Sequence, residues 1–360
     1  MQSLGFWVGF NVFVLSMLAL DLGVFHRKAH KVSIKESAVW VAVWVTLAAI
    51  FGAAIPFFYH RGTDAAIEYF TGYILEQSLS MDNVFVIALI FAYFRVPQEY
   101  QHRVLFWGII GVLLMRGAMI GVGAVLIREF RWILYLFGAF LIYTGFKMAF
   151  SNEDEEIEPE HNPVVKLLRR FMPIHHEFEG QKFFTTINGR RMATPLLVVL
   201  LIVETTDLVF AVDSIPAIFG VTEDPFIVYT SNVFAVLGLR SLYFLLAGAM
   251  GLFRYLKVGL SAVLVFVGIK MLEPFHHIGL SKEALAQLDH YEHGISLVVI
   301  VLILGISIIA SLIAARNDPH ALEEHHFPEG PESAIDSISD DAPTTGPGSD
   351  GSSTGTGPQA

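Results

Sequence analysis

Long apolar runs alternate with short polar breaks along this chain, and the runs have the length that crosses a membrane. A bilayer core of about 30 Å is spanned by about 20 apolar residues in a helix. The runs are continuous and lack the two-residue alternation of barrel strands, which favours helices. We therefore predict an all-α, polytopic membrane protein of about nine transmembrane helices, over residues 4–25, 37–59, 68–94, 103–127, 131–150, 196–219, 226–250, 254–273 and 294–315.

Composition supports a membrane protein and excludes several other classes. Hydrophobic residues make up 54% of the chain and charged residues only 16%, against about 25% charged in a soluble domain. The chain has no cysteine, which excludes disulfides and thiolate metal sites. We find no nucleic-acid-binding motif, Walker motif, Ser–His pattern or HExxH. The expected partner is the lipid bilayer, with no nucleic acid and no enzymatic activity.

Charged residues in the loops predict the orientation of the chain. With the N-terminus outside, fifteen Lys and Arg residues fall in cytoplasmic segments and four in outer segments. Because cytoplasmic loops are enriched in Lys and Arg, we predict an outer N-terminus and a cytoplasmic C-terminus. The net charge of -11 comes mainly from residues 317–360, which hold nine acids and no Lys or Arg. That tail is predicted to be disordered.

An internal repeat organises the spans. Phe130-Arg131-Trp132 recurs as Phe253-Arg254-Tyr255, and Gly145-Phe-Lys-Met as Gly268-Ile-Lys-Met, both at an offset of 123. Three spans per copy would give the copies opposite orientations, as in secondary transporters that bind cargo at the repeat interface. The predicted divisions are two N-terminal helices (1–60), a first three-helix repeat (61–150), a cytoplasmic loop (151–194), a second repeat (195–274), an outer loop with the last helix (275–316) and the acidic tail (317–360).

Five carboxyl groups lie within two of the predicted spans. Each acid costs roughly 2.5–3.5 kcal/mol at the bilayer centre, so such groups face a bundle interior or a wet cavity and by default mark an ion or proton path. The alternative is a structural network of salt bridges, yet only Arg116 and Arg240 are available deep in the spans to balance charge. The acids are Glu76, Asp82, Glu204, Asp207 and Asp213.

Helical spacing separates these acids on the helix surface. Glu76 and Asp82 are six residues apart, which is about 120° around a helix, whereas Ser80 and Asn83 share the stripe of Glu76. A single site using every acid of the second span would require that helix to bend or unwind. Pro216 could cause such a break by leaving carbonyls free, or it could produce a plain kink.

The available ligand atoms indicate a hard cation. The acidic spans offer carboxylates with Asn83, Ser78, Ser80, Thr205, Thr206 and Ser214, and no His lies deep in a span. Oxygen ligands suit Mn, Mg or Ca better than Zn or Cu. Met81 could add a softer ligand, although a Met in a span is more commonly a packing residue. We expect a transported cation and no resident cofactor.

These motifs resemble those of the TerC family, and most closely its Alx-type members. The resemblance covers about residues 1–315 and is carried by Asp21-Leu-Gly-Val-Phe-His-Arg-Lys, by Glu76 to Asn83 with Leu-Ser-Met-Asp-Asn, and by Glu204-Thr-Thr-Asp-Leu-Val-Phe-Ala-Val-Asp-Ser-Ile-Pro. It implies a fold related to the LysE-type exporters and a link to manganese export and to tolerance of tellurite and alkali. It further implies that the five acids form the metal path, with Asn83 as a helper.

Together, the residues and the resemblance predict an inner-membrane exporter of manganese(II), coupled to protons. The alternative is a membrane scaffold that metallates exported proteins or acts in tellurite or alkali resistance, with secretion or stress-response proteins as membrane partners. Tellurite itself is disfavoured as cargo, because an oxyanion requires basic sites and these spans carry an excess of acids.

Overall fold

A computed structural model describes residues 4–20, 34–150, 162–187, 189–246, 255–272 and 282–317. The described helices are α1 (Leu4–Leu20), α2 (Ile34–Phe58), α3 (Gly62–Tyr93), α4 (Gln98–Glu129), α5 (Ile133–Phe150), α6 (Pro163–Phe171), α7 (Pro195–Phe219), α8 (Pro225–Leu237), α9 (Leu239–Leu246), α10 (Leu256–Leu272) and α11 (Lys282–Asn317). The strands are β1 (Phe184–Ile187) and β2 (Arg190–Ala193). The acidic run 153–160 and nearly all of the predicted acidic tail lie outside the described residues.

The helices confirm an all-α polytopic membrane protein. Six of the described helices are long and apolar enough to cross a membrane, and the pair α8 and α9, bent by 41°, forms a seventh candidate. The six are α2, α3, α4, α5, α7 and residues Gly294–Ala314 of α11. Two helices of 17 residues, α1 and α10, cover the first and eighth predicted spans. The count of nine spans stays a prediction.

Large apolar side chains lie on the outside of the bundle, as expected of a protein surrounded by lipid. Leu114 and Val122 of α4 are 71% and 60% exposed. In contrast, α3 is largely enclosed and packs against α2, α7, α8 and α11, while α4 packs against α7 and α8. Most polar side chains of α3 are therefore enclosed by neighbouring helices and kept away from the lipid.

Helices α5 and α10 cross closely at small residues. A Cβ at Gly268 would lie 2.7 Å from the carbonyl oxygen of Gly138, and a Cβ at Gly145 would lie 2.9 Å from the carbonyl oxygen of Ser261. Because the pairing runs in opposite directions along the two helices, they are antiparallel. Small residues permit this backbone approach, which is a common basis of helix association in membranes.

Helix α7 is continuous through Pro216 and ends at Phe219, so of the two alternatives for Pro216 the unwound helix is not observed. Pro216 lies in the last turn, where its carbonyl accepts a hydrogen bond from the backbone N–H of Gly220 at 3.0 Å. Pro216 lacks the N–H that would bond to the carbonyl of Val212, yet the helix continues past it to Phe219. In this continuous helix Glu204 and Asp207, three residues apart, share a face, whereas Asp213 projects from another face.

The described part of the polar segment between α5 and α7 is folded. Asn162 caps α6 by accepting a hydrogen bond from the backbone N–H of Val164 at 2.9 Å. An antiparallel hairpin of β1 and β2 follows, and its turn contains Gly189 at φ 77°. The sequence pattern indicated only a polar loop here, because these elements are short.

Candidate functional site

A buried polar cluster lies where α3, α4, α7 and α8 meet. Each helix contributes one central side chain: Glu76 from α3, Arg116 from α4, Asp207 from α7 and Asn232 from α8. Their exposed fractions are 0%, 2%, 5% and 1% respectively. The cluster is therefore enclosed by protein at positions that are far apart in the sequence.

Arg116 is the centre of the cluster. Its Nη1 donates hydrogen bonds to the Glu76 carboxylate, to Asn232 Oδ1 at 2.7 Å and to Ser214 Oγ at 3.3 Å. Its Nη2 lies 3.5 Å from Asp207 Oδ1. One guanidinium thus interacts with two carboxylates that come from different predicted repeats.

Neutral polar groups complete the contacts of the two carboxylates. The Ser80 hydroxyl donates to Glu76 Oε1 at 3.3 Å, and Asn232 Nδ2 donates to Glu76 Oε2 at 3.4 Å. Asn83 Nδ2 donates to Asp207 Oδ1 at 3.2 Å. The shared stripe of Glu76, Ser80 and Asn83 that helical spacing predicts is confirmed.

Several buried polar atoms of this region have no hydrogen-bond partner in the protein. Among the described residues these include Arg116 Nε and Nη2, Asp207 Oδ2 and Glu204 Oε2. Glu204 lies one turn before Asp207 on α7 and interacts electrostatically with it. Buried polar groups normally have a hydrogen-bond partner. The two carboxylate oxygens, Asp207 Oδ2 and Glu204 Oε2, are therefore available to a proton, a water molecule or a cation.

The remaining predicted residues lie apart from this cluster. Asp82 interacts electrostatically with Lys257 of α10, and Asp213 with Lys147 of α5. Arg240 Nη1 lies 3.4 Å from His102 Nε2. Asp82 lies six residues after Glu76, and Asp213 lies six residues after Asp207. This spacing places Asp82 and Asp213 on a different helix face from the cluster acids.

The structure brings together only part of the predicted ligand set. Glu76, Asn83 and Asp207 share the cluster with Arg116, and Glu204 adjoins it. Within the described ranges, no three His, Asp or Glu side chains are close enough together to form a metal site. The hydroxyls of Thr205 and Thr206 donate to the carbonyls of Leu201 and Ile202 one turn earlier on α7.

Two buried polar residues, Asn232 and Glu68, were missed by sequence reasoning. Asn232 interrupts a predicted apolar span, and that interruption was the available signal. Glu68 begins a predicted span and reads as an ordinary boundary residue, yet it is only 1% exposed.

Glu68 belongs to a second polar cluster at one end of the bundle. It forms a salt bridge with Arg61, and the Thr222 hydroxyl donates to its Oε2 at 2.6 Å. Tyr59 donates to the Asp224 carboxylate, which also caps α8 by accepting from the backbone N–H of Phe226. Burial, together with the bond to Asp224, raises the pKa of the Tyr59 phenol. This cluster joins the turn before α3 to the loop before α8.

The apolar helices and the buried acids between them identify the chain as a polytopic integral membrane protein with charged residues inside its helix bundle. The model of the integral membrane protein TerC family matches residues 61–319, and the chain belongs to that family.

Close relatives cover most of the chain. It is 52% identical over 317 residues to the "Uncharacterized membrane protein STKORF319" of Myxococcus xanthus, covering 88% of this chain and 95% of the relative. It is 49% identical over 281 residues to the "Putative membrane-bound redox modulator Alx" of Escherichia coli (strain K12), covering 76% and 87%. No solved structure matches the chain.

Proposed function

We propose that this protein exports divalent metal cations, above all manganese(II), in exchange for protons. The supporting observation is the excess of acid in the central cluster. Glu76 and Asp207 share one arginine, and Glu204 adds a third carboxylate beside Asp207. Intramembrane acids that exceed their bases are typical of ion and proton paths.

Arg116 has a specific role in this proposal. Its guanidinium contacts both Glu76 and Asp207, so an arriving cation must compete with it for the same oxygens. We propose that Arg116 neutralises the acids when no cargo is bound and withdraws when a dication replaces it. This exchange would keep the buried charge close to balanced throughout transport.

The cluster's chemistry favours a hard cation as cargo. Apart from the Arg116 guanidinium, its polar groups are carboxylates, amides and a hydroxyl, contributed by Glu76, Asp207, Asn83, Asn232 and Ser214. Such oxygen ligands suit Mn, Mg and Ca. Glu204 and Asp207 also offer oxygens without a partner in the protein.

In this proposal Asp82 and Asp213 are additional binding positions for the cation or proton outside the central cluster. Each interacts with a lysine of the α5–α10 pair instead of with Arg116. A cation or proton that leaves the centre would meet them on other faces of α3 and α7.

The decisive experiment is metal flux in proteoliposomes that contain the purified protein, measured for Mn, Mg, Ca, Zn and tellurite. We expect manganese flux that Asp207→Asn or Glu204→Gln abolishes. Glu129→Gln is the matched control, because its side chain is 61% exposed at the end of α4. Equal manganese flux in all three variants would contradict the site, and insensitivity to a collapsed pH gradient would contradict proton exchange.

We propose an inner-membrane location with the N-terminus outside and the C-terminus in the cytoplasm, on the distribution of Lys and Arg. The absence of cysteine allows single cysteines to be labelled from outside intact cells. A cysteine at Arg131 should react with an impermeant maleimide, and one at Glu177 should react only after lysis. The reverse pattern would contradict this orientation.

The redox role in the name of the Escherichia coli relative is a second candidate for this chain. Thiol–disulfide chemistry cannot supply it here, because the sequence contains no cysteine. A redox effect would have to be indirect, through the metal supply or through a scaffold that metallates exported proteins. Stable co-purifying partners together with no metal flux would favour the scaffold.

A further inference from the structure

Helix α6 has an apolar face of which only one part is covered by the rest of the protein. Val165 is fully buried and Leu168 packs against the same core cluster, which includes Leu196 of α7. Leu167 and Phe171, one turn apart, are 55% and 79% exposed. At 100° per residue these four side chains form one continuous apolar arc. The protein therefore buries only one edge of it.

Basic residues occupy the opposite side of the same helix. Lys166 and Arg170 are exposed and lie one turn apart. A helix with an apolar arc beside a row of Lys and Arg is the pattern of segments that lie in the membrane interface. Long basic side chains can keep their charged ends among lipid phosphates while their stems cover apolar surface.

The position of α6 suits this surface. Helix α6 packs against α7, a candidate membrane span, and Val165 belongs to the same core cluster as Leu196 and Val199 at the start of α7. The following chain is held to the start of α4 as well, because Gln181 Nε2 donates to the Glu99 carbonyl at 3.1 Å. The helix therefore lies at the level where two spans begin, which is where lipid headgroups are expected.

We propose that Leu167 and Phe171 of α6 dock into the headgroup–acyl boundary of the surrounding bilayer, with Lys166 and Arg170 binding anionic lipid phosphates. Charge complementarity selects this occupant. A row of basic residues beside exposed apolar side chains matches an anionic headgroup layer that overlies acyl chains. This inference is independent of the proposed transport.

The experiment places a single cysteine at Phe171 or, as control, at the exposed Glu177, and labels it with an environment-sensitive fluorophore. The full chain is reconstituted in nanodiscs of phosphatidylcholine, with or without phosphatidylglycerol. A spin-labelled lipid serves as the membrane quencher and iodide as the aqueous quencher. We expect lipid quenching at residue 171 to be several-fold stronger than at 177, with the reverse order for iodide.

A second comparison tests the basic residues. The double variant Lys166→Gln, Arg170→Gln should reduce the increase in lipid quenching at residue 171 that phosphatidylglycerol causes. Each charge removed should lower the equilibrium constant for docking of α6 onto the anionic membrane by about fivefold. Arg128→Gln with Arg131→Gln removes the same charge at 78% and 82% exposed positions and should leave the quenching unchanged.

Two results would overturn the docking. If iodide quenches the label at 171 as strongly as at 177, the face of α6 is open to water. If neither quencher reaches residue 171, protein covers the face. In that case, emission that changes with the number of protein copies per disc would identify a second copy as the covering protein. An unchanged quenching in the Lys166→Gln, Arg170→Gln variant would overturn the role of the basic residues.

Discussion

At the scale of single residues, Arg116 allows two buried acids, Glu76 and Asp207, to lie close together. A buried charge is costly unless it is paired and hydrogen-bonded. Arg116 meets this condition for Glu76 and approaches Asp207 at 3.5 Å. Removing one member of such a pair leaves the other charge buried and unpaired, which is more damaging than removing both.

Arg116→Gln should lower the free energy of unfolding by about 3–5 kcal/mol, because Glu76 loses its buried partner. Adding Glu76→Gln to that variant should recover much of the loss. Thermal unfolding in detergent, followed by tryptophan fluorescence, measures both changes. Arg128→Gln is the control, since an exposed ion pair contributes about 0–1 kcal/mol. An Arg116→Gln variant as stable as the parent protein would contradict the pairing.

Gly111 tests the position of the Glu204 carboxylate. A Cβ at Gly111 would overlap that carboxylate, whereas a Cβ at Gly121 meets nothing within 4 Å. Because the obstructed group is the end of a flexible side chain, Gly111→Ala should displace it at little cost in stability. We expect a several-fold lower manganese flux for Gly111→Ala and normal flux for Gly121→Ala, both normalised to folded protein. Normal flux in both would show that Glu204 need not occupy this position.

At the scale of elements, the crossing of α5 and α10 connects the two predicted repeats. The offset of 123 carries Gly145 onto Gly268 and Gly138 onto Ser261. The contact of Gly138 with Gly268 therefore maps onto the contact of Ser261 with Gly145. An inverted repeat would make these two contacts equivalent by symmetry. The close crossing of α5 and α10 can be tested by mutation.

Gly268→Ala should destabilise the crossing, because its Cβ would lie 2.7 Å from the Gly138 carbonyl oxygen and backbone cannot easily move aside. Overpacking of this kind costs about 1–3 kcal/mol. Gly305→Ala in α11 is the control, since a Cβ there meets nothing within 4 Å. Thermal unfolding in detergent should show a loss only for Gly268→Ala. Equal stability of the two variants would argue against a close crossing.

At the scale of the whole molecule, the cluster of Tyr59, Arg61, Glu68 and Asp224 ties distant parts of the chain together. Tyr59 and Asp224 are 165 residues apart in sequence and meet at one end of the bundle. These contacts join the end of α2 and the start of α3 to the loop before α8.

Tyr59→Phe should reduce stability below pH ~10, with a smaller difference at higher pH. The folded-state pKa of Tyr59 is raised by burial and by its bond to Asp224. Its contribution is therefore complete below the unfolded value and is lost as pH rises towards the folded one. Thermal unfolding across alkaline pH, with the exposed Tyr135→Phe as control, measures this. A pH-independent difference for Tyr59→Phe would contradict the raised pKa.

The amino-acid sequence by itself determined the class of this protein. Uninterrupted apolar runs require helices in lipid, because backbone polar groups have no other partner there. The stripe of Glu76, Ser80 and Asn83 followed from helical spacing alone, and both the family and the all-α polytopic fold are confirmed. These properties are local or periodic, and a sequence displays such properties directly.

Only the tertiary structure decided which of the acids meet. Asp82 and Asp213 are carboxyl residues like Glu76 and Asp207, yet they lie on another helix face and interact electrostatically with Lys257 and Lys147 instead of with Arg116. The roles of Asn232 and Ser214 likewise depend on how α8 and α7 pack against Arg116. A sequence specifies the spacing within each helix, but the packing between helices determines which side chains face one another.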